Sequence, residues 1–338
     1  MSKNIYGSRK KGIPLSNKIL MATSIVCALA AVVVFLFFSR FQKNKNQDTH
    51  TASGESPTAA AQEQTHPTPD VPLDPIVPSG ETLFQRFNPS PEYKRISVNV
   101  GSFAEYLRNF KLREYAVKPL AYDPESSSLV NNESAPAVSV LALDLINKGN
   151  LQQSSQSLIR LYAEYLYANS RYSDIAFNLL TTPLFKCDFE TWSNGGRLKV
   201  DGNQVSWCID HNDSCGHKDV ELGTSAGTFR YYLQNVMMHS NTSSFVTNMD
   251  KISVSDAAIG DVIVFSDAPS DPVIIMDMAE NQSDGSKIYI MARGGTPASE
   301  IYIVRNEQDA NLNPWHKLSD IPESASVYSE KTDHICGH

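Results

Sequence analysis

The chain has 338 residues, with 29 Lys and Arg against 37 Asp and Glu, and is 41% hydrophobic and 20% charged. These ordinary proportions exclude fully disordered, collagenous and polytopic membrane chains. Residues 1–80 hold 8 basic and 5 acidic side chains, which leaves 21 and 32 for residues 81–338, net +3 against −11; so acidic a globular part repels phosphate backbones and excludes nucleic acid as a partner.

The first element is ILMATSIVCALAAVVVFLFF, Ile19 to Phe38, about 20 residues without a charge, long enough to span a hydrocarbon core of about 30 Å. Ala28-Leu29-Ala30 has the small-x-small pattern of a cleavage site, but AVVVFLFF follows it, which favours an uncleaved anchor over a removed signal peptide. Lys3, Arg9, Lys10, Lys11 and Lys18 precede the span, and Arg40, Lys43 and Lys45 follow it. Five positive charges against three place residues 1–18 in the cytoplasm and the bulk of the chain on the far side of an inner membrane. Residues 39–80, with Pro57, Pro67, Pro69, Pro72, Pro75 and Pro78, read as a disordered spacer stiffened toward an extended form of about 3 Å per residue.

Residues 81–338 are expected to form one domain. Ser102 to Glu105 fits a capping box, with Phe103, Tyr106, Leu107 and Phe110 as the stripe of a short helix. Val138 to Leu145 is an apolar run of either type. A long helix is predicted from about Gln152, where Leu151, Ser154, Leu158, Leu161, Tyr162, Tyr165 and Leu166 share one face, so Ser154 lies on the buried stripe. A third helix is predicted from about Thr228 to His239. From Val262 onward short β-branched runs, Val262–Phe265, Val273–Met278, Ile288–Ala292 and Ile301–Val304, are separated by turn residues such as Ser283-Asp284-Gly285-Ser286. Such short connections require antiparallel pairing. Helices followed by an antiparallel sheet define an α+β domain.

Four cysteines lie beyond the span, and an even number in an exported domain favours disulfides. Cys208 with Cys215 is the local pair, leaving Cys187 with Cys336. The alternative is zinc on Cys208, His211, Cys215 and His217, with His334, Cys336 and His338 in the tail, although the C-x-x-C knuckle is missing. Gly223-Thr224-Ser225-Ala226-Gly227 matches the G-x-S-x-G nucleophile elbow, but the polar HKDVEL before it is unlike the central strand this motif needs. A loop ending in a helix cap is the plainer reading of Ser225. Arg160 and Glu164, one turn apart, read as an ion pair. There is no Walker loop, dinucleotide fingerprint or H-E-x-x-H, and no cofactor is expected.

Several stretches carry a family resemblance. TLFQRFNPSPEYKRISVNVGSFAEYLRNFKL, LQQSSQSLIRLYAEYLYANSRYSDIAFNLL, SAGTFRYYLQNVMMHSNTSSF, IGDVIVFSDAPSDPVIIMDMA, IYIMARGGTPASEIYIVRN and NPWHKL resemble, in order, the bacterial exported family known as domain of unknown function 4846. The likeness covers Glu81 to about Leu318 and implies an envelope location without an activity. In typical members the long helix opens with Gln-Cys, and Gly-His begins a strand after Gly-Asp-Val, an arrangement similar to cell-wall amidases of the NlpC/P60 and CHAP type. That resemblance implies a papain-like layout, with a thiolate at a helix N-terminus and a His beside it.

Here the matching positions are Ser154, after Gln153, and Asp271, before Pro272, with Arg293 near the place of a third polar residue. The expected function is therefore a membrane-anchored binding or scaffolding module without cysteine-hydrolase chemistry, whose partner is a peptidoglycan peptide or another envelope protein. The rival readings are an envelope hydrolase using Ser154 or Ser225 with His239 or His316, and a structural subunit recruited through its membrane helix.

Overall fold

A computed structural model describes residues 74–209 and 221–330, all within the compact unit Asp70–His338. The expected membrane span lies outside these residues. No helix among the described residues is long and apolar enough to cross a membrane.

The domain takes in residues before Glu81. Ile76 forms a bridge with Phe87, and the Val77 and Asn88 amides donate to Arg86 and Pro75. Residues 74–80 thus join the domain, where composition alone assigns them to the spacer. Helix α1, Leu83–Arg86, closes this loop under a Thr82–Gln85 capping box. Strand β1, Tyr93–Arg95, follows, then α2, Phe103–Arg108, whose Ser102 hydroxyl accepts from the Glu105 amide at 3.2 Å. The Glu105 carboxylate turns to the Gly101 amide, so only half of the expected capping box forms. A hairpin β2–β3, Leu120–Asp123 and Ser128–Asn131, leads to β4, Ala137–Val140.

The long helix α3 runs from Ser154 to Ala168. Two ribbons follow, β5–β6 (Ala176–Leu179, Phe185–Asp188) and β7–β8 (Arg197–Asp201, Gln204–Cys208), with α4, Phe189–Ser193, between them. Helices α5, Ala226–Met238, and α6, Thr242–Val246, then lead to β9, Met249–Ile252. The remaining strands are β10 (Val262–Val264), β11 (Val273–Asn281), β12 (Lys287–Arg293), β13 (Tyr302–Val304), β14 (His316–Lys317) and β15 (Ser326–Glu330).

The main sheet has the order β4-β13-β12-β11-β10-β15-β9, with β1 beside β11 and β14 beside β12. Its pairs are antiparallel. The domain is α+β as expected, but β1 and β4 precede α3 and still join the sheet, so helices and strands are not segregated along the chain.

Alternation places Ile288, Ile290 and Ala292 of β12 against Leu158, Leu161, Tyr162 and Tyr165 of α3 in one core. Tyr289 and Met291 belong to the packing of the opposite face. Each of the fully buried aliphatic side chains contributes about 1.5–3 kcal/mol. A register shift between Ile275 and Asp277 interrupts β11. Asp277, fully buried there, is held by Arg95 at 2.7 Å and Arg108 at 2.8 Å. An extra residue in one strand re-aims its side chain, and here it presents a carboxylate to two guanidinium groups.

Candidate functional site

Helix α3 begins at Ser154 because Gln153 is extended, with φ −82° and ψ −167°, and the helix runs on without interruption. Gln153 does not cap it; its side-chain amide donates instead to the Asn150 carbonyl. Ser154 is buried. Its hydroxyl donates to Oδ1 of Asp271 at 2.5 Å and lies 3.3 Å from the Thr296 hydroxyl.

Asp271 sits in the β10–β11 turn, its amide bonded to the Ala268 carbonyl. Its second oxygen, Oδ2, meets Nη2 of Arg293, the last residue of β12, at 2.9 Å; the two side chains are 28% and 26% exposed. The structure thus brings Ser154 together with Asp271 and Arg293, which lie 117 and 139 positions later in the chain.

Backbone proximity makes this possible. A Cβ placed on Gly294 would lie 2.2 Å from Ser157 Oγ and 2.8 Å from Ser157 Cβ, so only glycine lets the end of β12 press on the first turn of α3. A cleft of about 420 Å³ opens beside Ser154, bordered by Gln153, Ser155, Gln156, Ser270 and Thr296, and by the Asn241–Ser243 start of α6. Gln156 fixes one wall by donating to the Ser240 carbonyl at 2.8 Å. Hydroxyls, amides and Pro269 line it, without a charged or aromatic side chain. Sequence reasoning missed Gly294 and Thr296; the Gly-Gly-Thr-Pro run after β12 is a turn signal, but nothing local connects it to a helix 140 residues earlier.

The other candidates lie apart. Ser225 caps α5, accepting from the Thr228 amide at 3.1 Å and donating to Glu221 at 2.7 Å. Among the described residues no histidine hydrogen-bonds to it, and those just before it, 221–224, form no strand; the rest of HKDVEL lies outside the described residues. Arg160 and Glu164 pair at 2.7 Å. The His239 ring is half-buried, and desolvation lowers its pKa. Burial also lowers that of His316, which packs on Tyr289. Neither ring hydrogen-bonds to Ser154.

Cys187 is a free, fully buried thiol, so the pairing expected with Cys336 gives way to a packed side chain against Tyr232 and its neighbours. Desolvation raises the Cys187 pKa. Cys208 is disulfide-bonded, and a half-cystine sulfur is not a thiolate ligand for zinc. His211, Cys215, His217, His334, Cys336 and His338 lie outside the described residues. Among the described residues no group of three or more His, Cys, Asp or Glu side chains is arranged to hold a metal ion.

The model of the family described as domain of unknown function (4846) matches residues 83–330. No curated protein and no solved structure matches the chain. The family match spans the domain from α1 to the end of β15 and includes Ser154, Asp271 and Arg293; the chain belongs to the domain of unknown function 4846 family.

Proposed function

We propose that the chain is a single-pass, membrane-anchored binding module of the bacterial envelope, with a papain-like, NlpC/P60-like layout, whose cleft beside Ser154 takes a peptidoglycan peptide without cleaving it. The observation that carries this reading is the closed set of bonds around Ser154. A nucleophilic serine needs a base in hydrogen-bond reach that can take its proton, usually histidine or lysine. The Ser154 hydroxyl instead donates to a carboxylate that a guanidinium already engages. An ion pair remains at the helix N-terminus, where the layout of a cysteine hydrolase has thiolate and imidazolium. Its groups satisfy one another, and the neighbouring cleft offers the hydrogen-bonding side chains that an extended peptide requires.

Purified full-length chain in detergent, incubated with soluble muropeptides and with generic ester substrates, tests the reading. It should bind muropeptide without product formation, and Ser270→Trp, which fills the cleft mouth, should abolish binding. Turnover that disappears in Ser154→Ala or Ser225→Ala sinks the non-catalytic reading.

A further inference from the structure

The far end of α3 carries a second concavity. A groove of about 520 Å³ runs between α2 and the C-terminal half of α3. Tyr106 gives the groove its accessible ring, backed by the buried Phe110, edge-on to it at 5.4 Å, and the buried Tyr165, tilted against it at 5.5 Å. Tyr106 is half-buried, and its hydroxyl makes no hydrogen bond among the described residues. Asn109 and Asn169, the residues that end α2 and α3, both line the groove and are exposed. Asn169 donates Nδ2 to the Tyr165 carbonyl, leaving Oδ1 open, and the Asn109 side-chain amide is unengaged. The charged groups do not select an ion: Glu105 is bonded to the Gly101 amide, and Lys111 on the same rim has the opposite sign.

We propose that this groove is a glycan site that accepts a neutral pyranose chain. One partly exposed tyrosine ring flanked by two amides matches a pyranose, whose C–H face packs on the Tyr106 ring while its hydroxyl edge exchanges hydrogen bonds with asparagine. The volume is within the range of ligand sites. Internally balanced charge favours a neutral sugar over a cationic or anionic ligand. Ser154 and Tyr165 are eleven residues apart on one helix, about 16 Å, so the groove is separate from the cleft beside Ser154 and stands whether or not that cleft binds peptide.

The test is titration of the full-length chain in detergent with the β-1,4-linked hexasaccharide of N-acetylglucosamine, followed by calorimetry. Saturable binding with Kd at or below about 1 mM is expected. Tyr106→Ala should weaken it at least about tenfold. Asn169→Ala, a change at an exposed position that leaves the core untouched, should weaken it about threefold. Far-UV circular dichroism identifies a Tyr106→Ala chain that has lost its fold, in which case Asn169→Ala decides. Saturating free muropeptide peptide should leave the hexasaccharide Kd unchanged. Absence of saturable binding at millimolar hexasaccharide, equal binding by wild type and Asn169→Ala, or competition by the peptide overturns the proposal. So does a groove that takes a proline-rich peptide or a second copy of the chain in place of the sugar.

Discussion

Gly294→Ala is the sharpest probe of how the site is assembled. Gly294 is not among the residues with positive φ, so the demand on it is for space alone. Its added Cβ would meet Ser157 Oγ at 2.2 Å, Ser157 Cβ at 2.8 Å and the Gln153 carbonyl at 3.5 Å. Both Ser157 contacts are below any distance that real Cβ atoms adopt, and Ser157 is fully buried on α3, so the helix start or the β12 end must move. Overpacking of this kind costs about 1–3 kcal/mol. The Ser157 hydroxyl is itself buried without a hydrogen-bond partner, so Ser157→Ala alone should be neutral or stabilising by up to about 1 kcal/mol. In the double variant the 2.2 Å contact is gone and the 2.8 Å contact stays. The two changes should therefore couple favourably by at least about 0.5 kcal/mol. Urea denaturation of the four proteins at constant m reads these differences. A Gly294→Ala chain within about 0.5 kcal/mol of wild type, or strict additivity in the double variant, refutes the close-approach argument.

Four further outcomes follow from the geometry. Asp271→Asn and Arg293→Met should each cost about 1–2 kcal/mol, because the pair is about a quarter exposed, and the double variant should cost less than their sum; urea midpoints measure this. Asp277→Ala should cost about 3–5 kcal/mol, since it leaves Arg95 and Arg108 facing each other in the core, and thermal unfolding will show it. Glu330 has its pKa raised to about 8 from 4.5, first by desolvation, with Arg171 opposing and Asp174 adding to the shift. The folded state therefore holds a proton that the unfolded chain releases. The Glu330 contribution is fully present below about pH 4.5 and is lost at roughly 1.4 kcal/mol per pH unit up to about pH 8; stability profiles of wild type and Glu330→Gln should converge in acid and diverge toward pH 8. Cys187 should resist alkylation in the native chain and react once the chain is denatured, as peptide mapping by mass spectrometry will reveal.

Local chemistry made some of this architecture readable. Ser102 and Ser225 announce helix starts through their own hydroxyls, and the apolar stripe from Leu158 to Leu166 fixes α3. The late strands carry β-branched runs bounded by turns. What stayed hidden depends on distant partners. Ala137–Val140 is too short to separate strand from helix by periodicity, and it becomes a strand because β13 lies beside it. FKCD, RLKVD and QVSWC do alternate, and Gly202-Asn203 marks the turn between the last two, so these ribbons carried a local signal although the expected elements omit them. Ile76 looks like part of a proline-rich spacer until Phe87 pairs with it. Ser154, Asp271 and Arg293 could be named through family resemblance, whereas Gly294 owes its role to a close approach that leaves no local trace.

The direction from which Arg293 arrives defines what the site can do. On β12, residues 288, 290 and 292 face α3, so alternation points Arg293 to the other face of the sheet, level with its register partner Tyr302. Asp271 lies at the end of the sheet, just before β11 begins at Val273. It gives one oxygen forward to Ser154 on α3 and the other backward to Arg293. The carboxylate is thus a staple that holds the β10–β11 turn between helix and sheet. Its charge is balanced by the guanidinium and by the positive end of a 15-residue helix. A group used on both sides as scaffold is poorly placed to act as a reagent. On the proposed binding reading, recognition would fall to the side chains that line the cleft, Gln153, Ser155, Gln156, Ser270 and Thr296 among them.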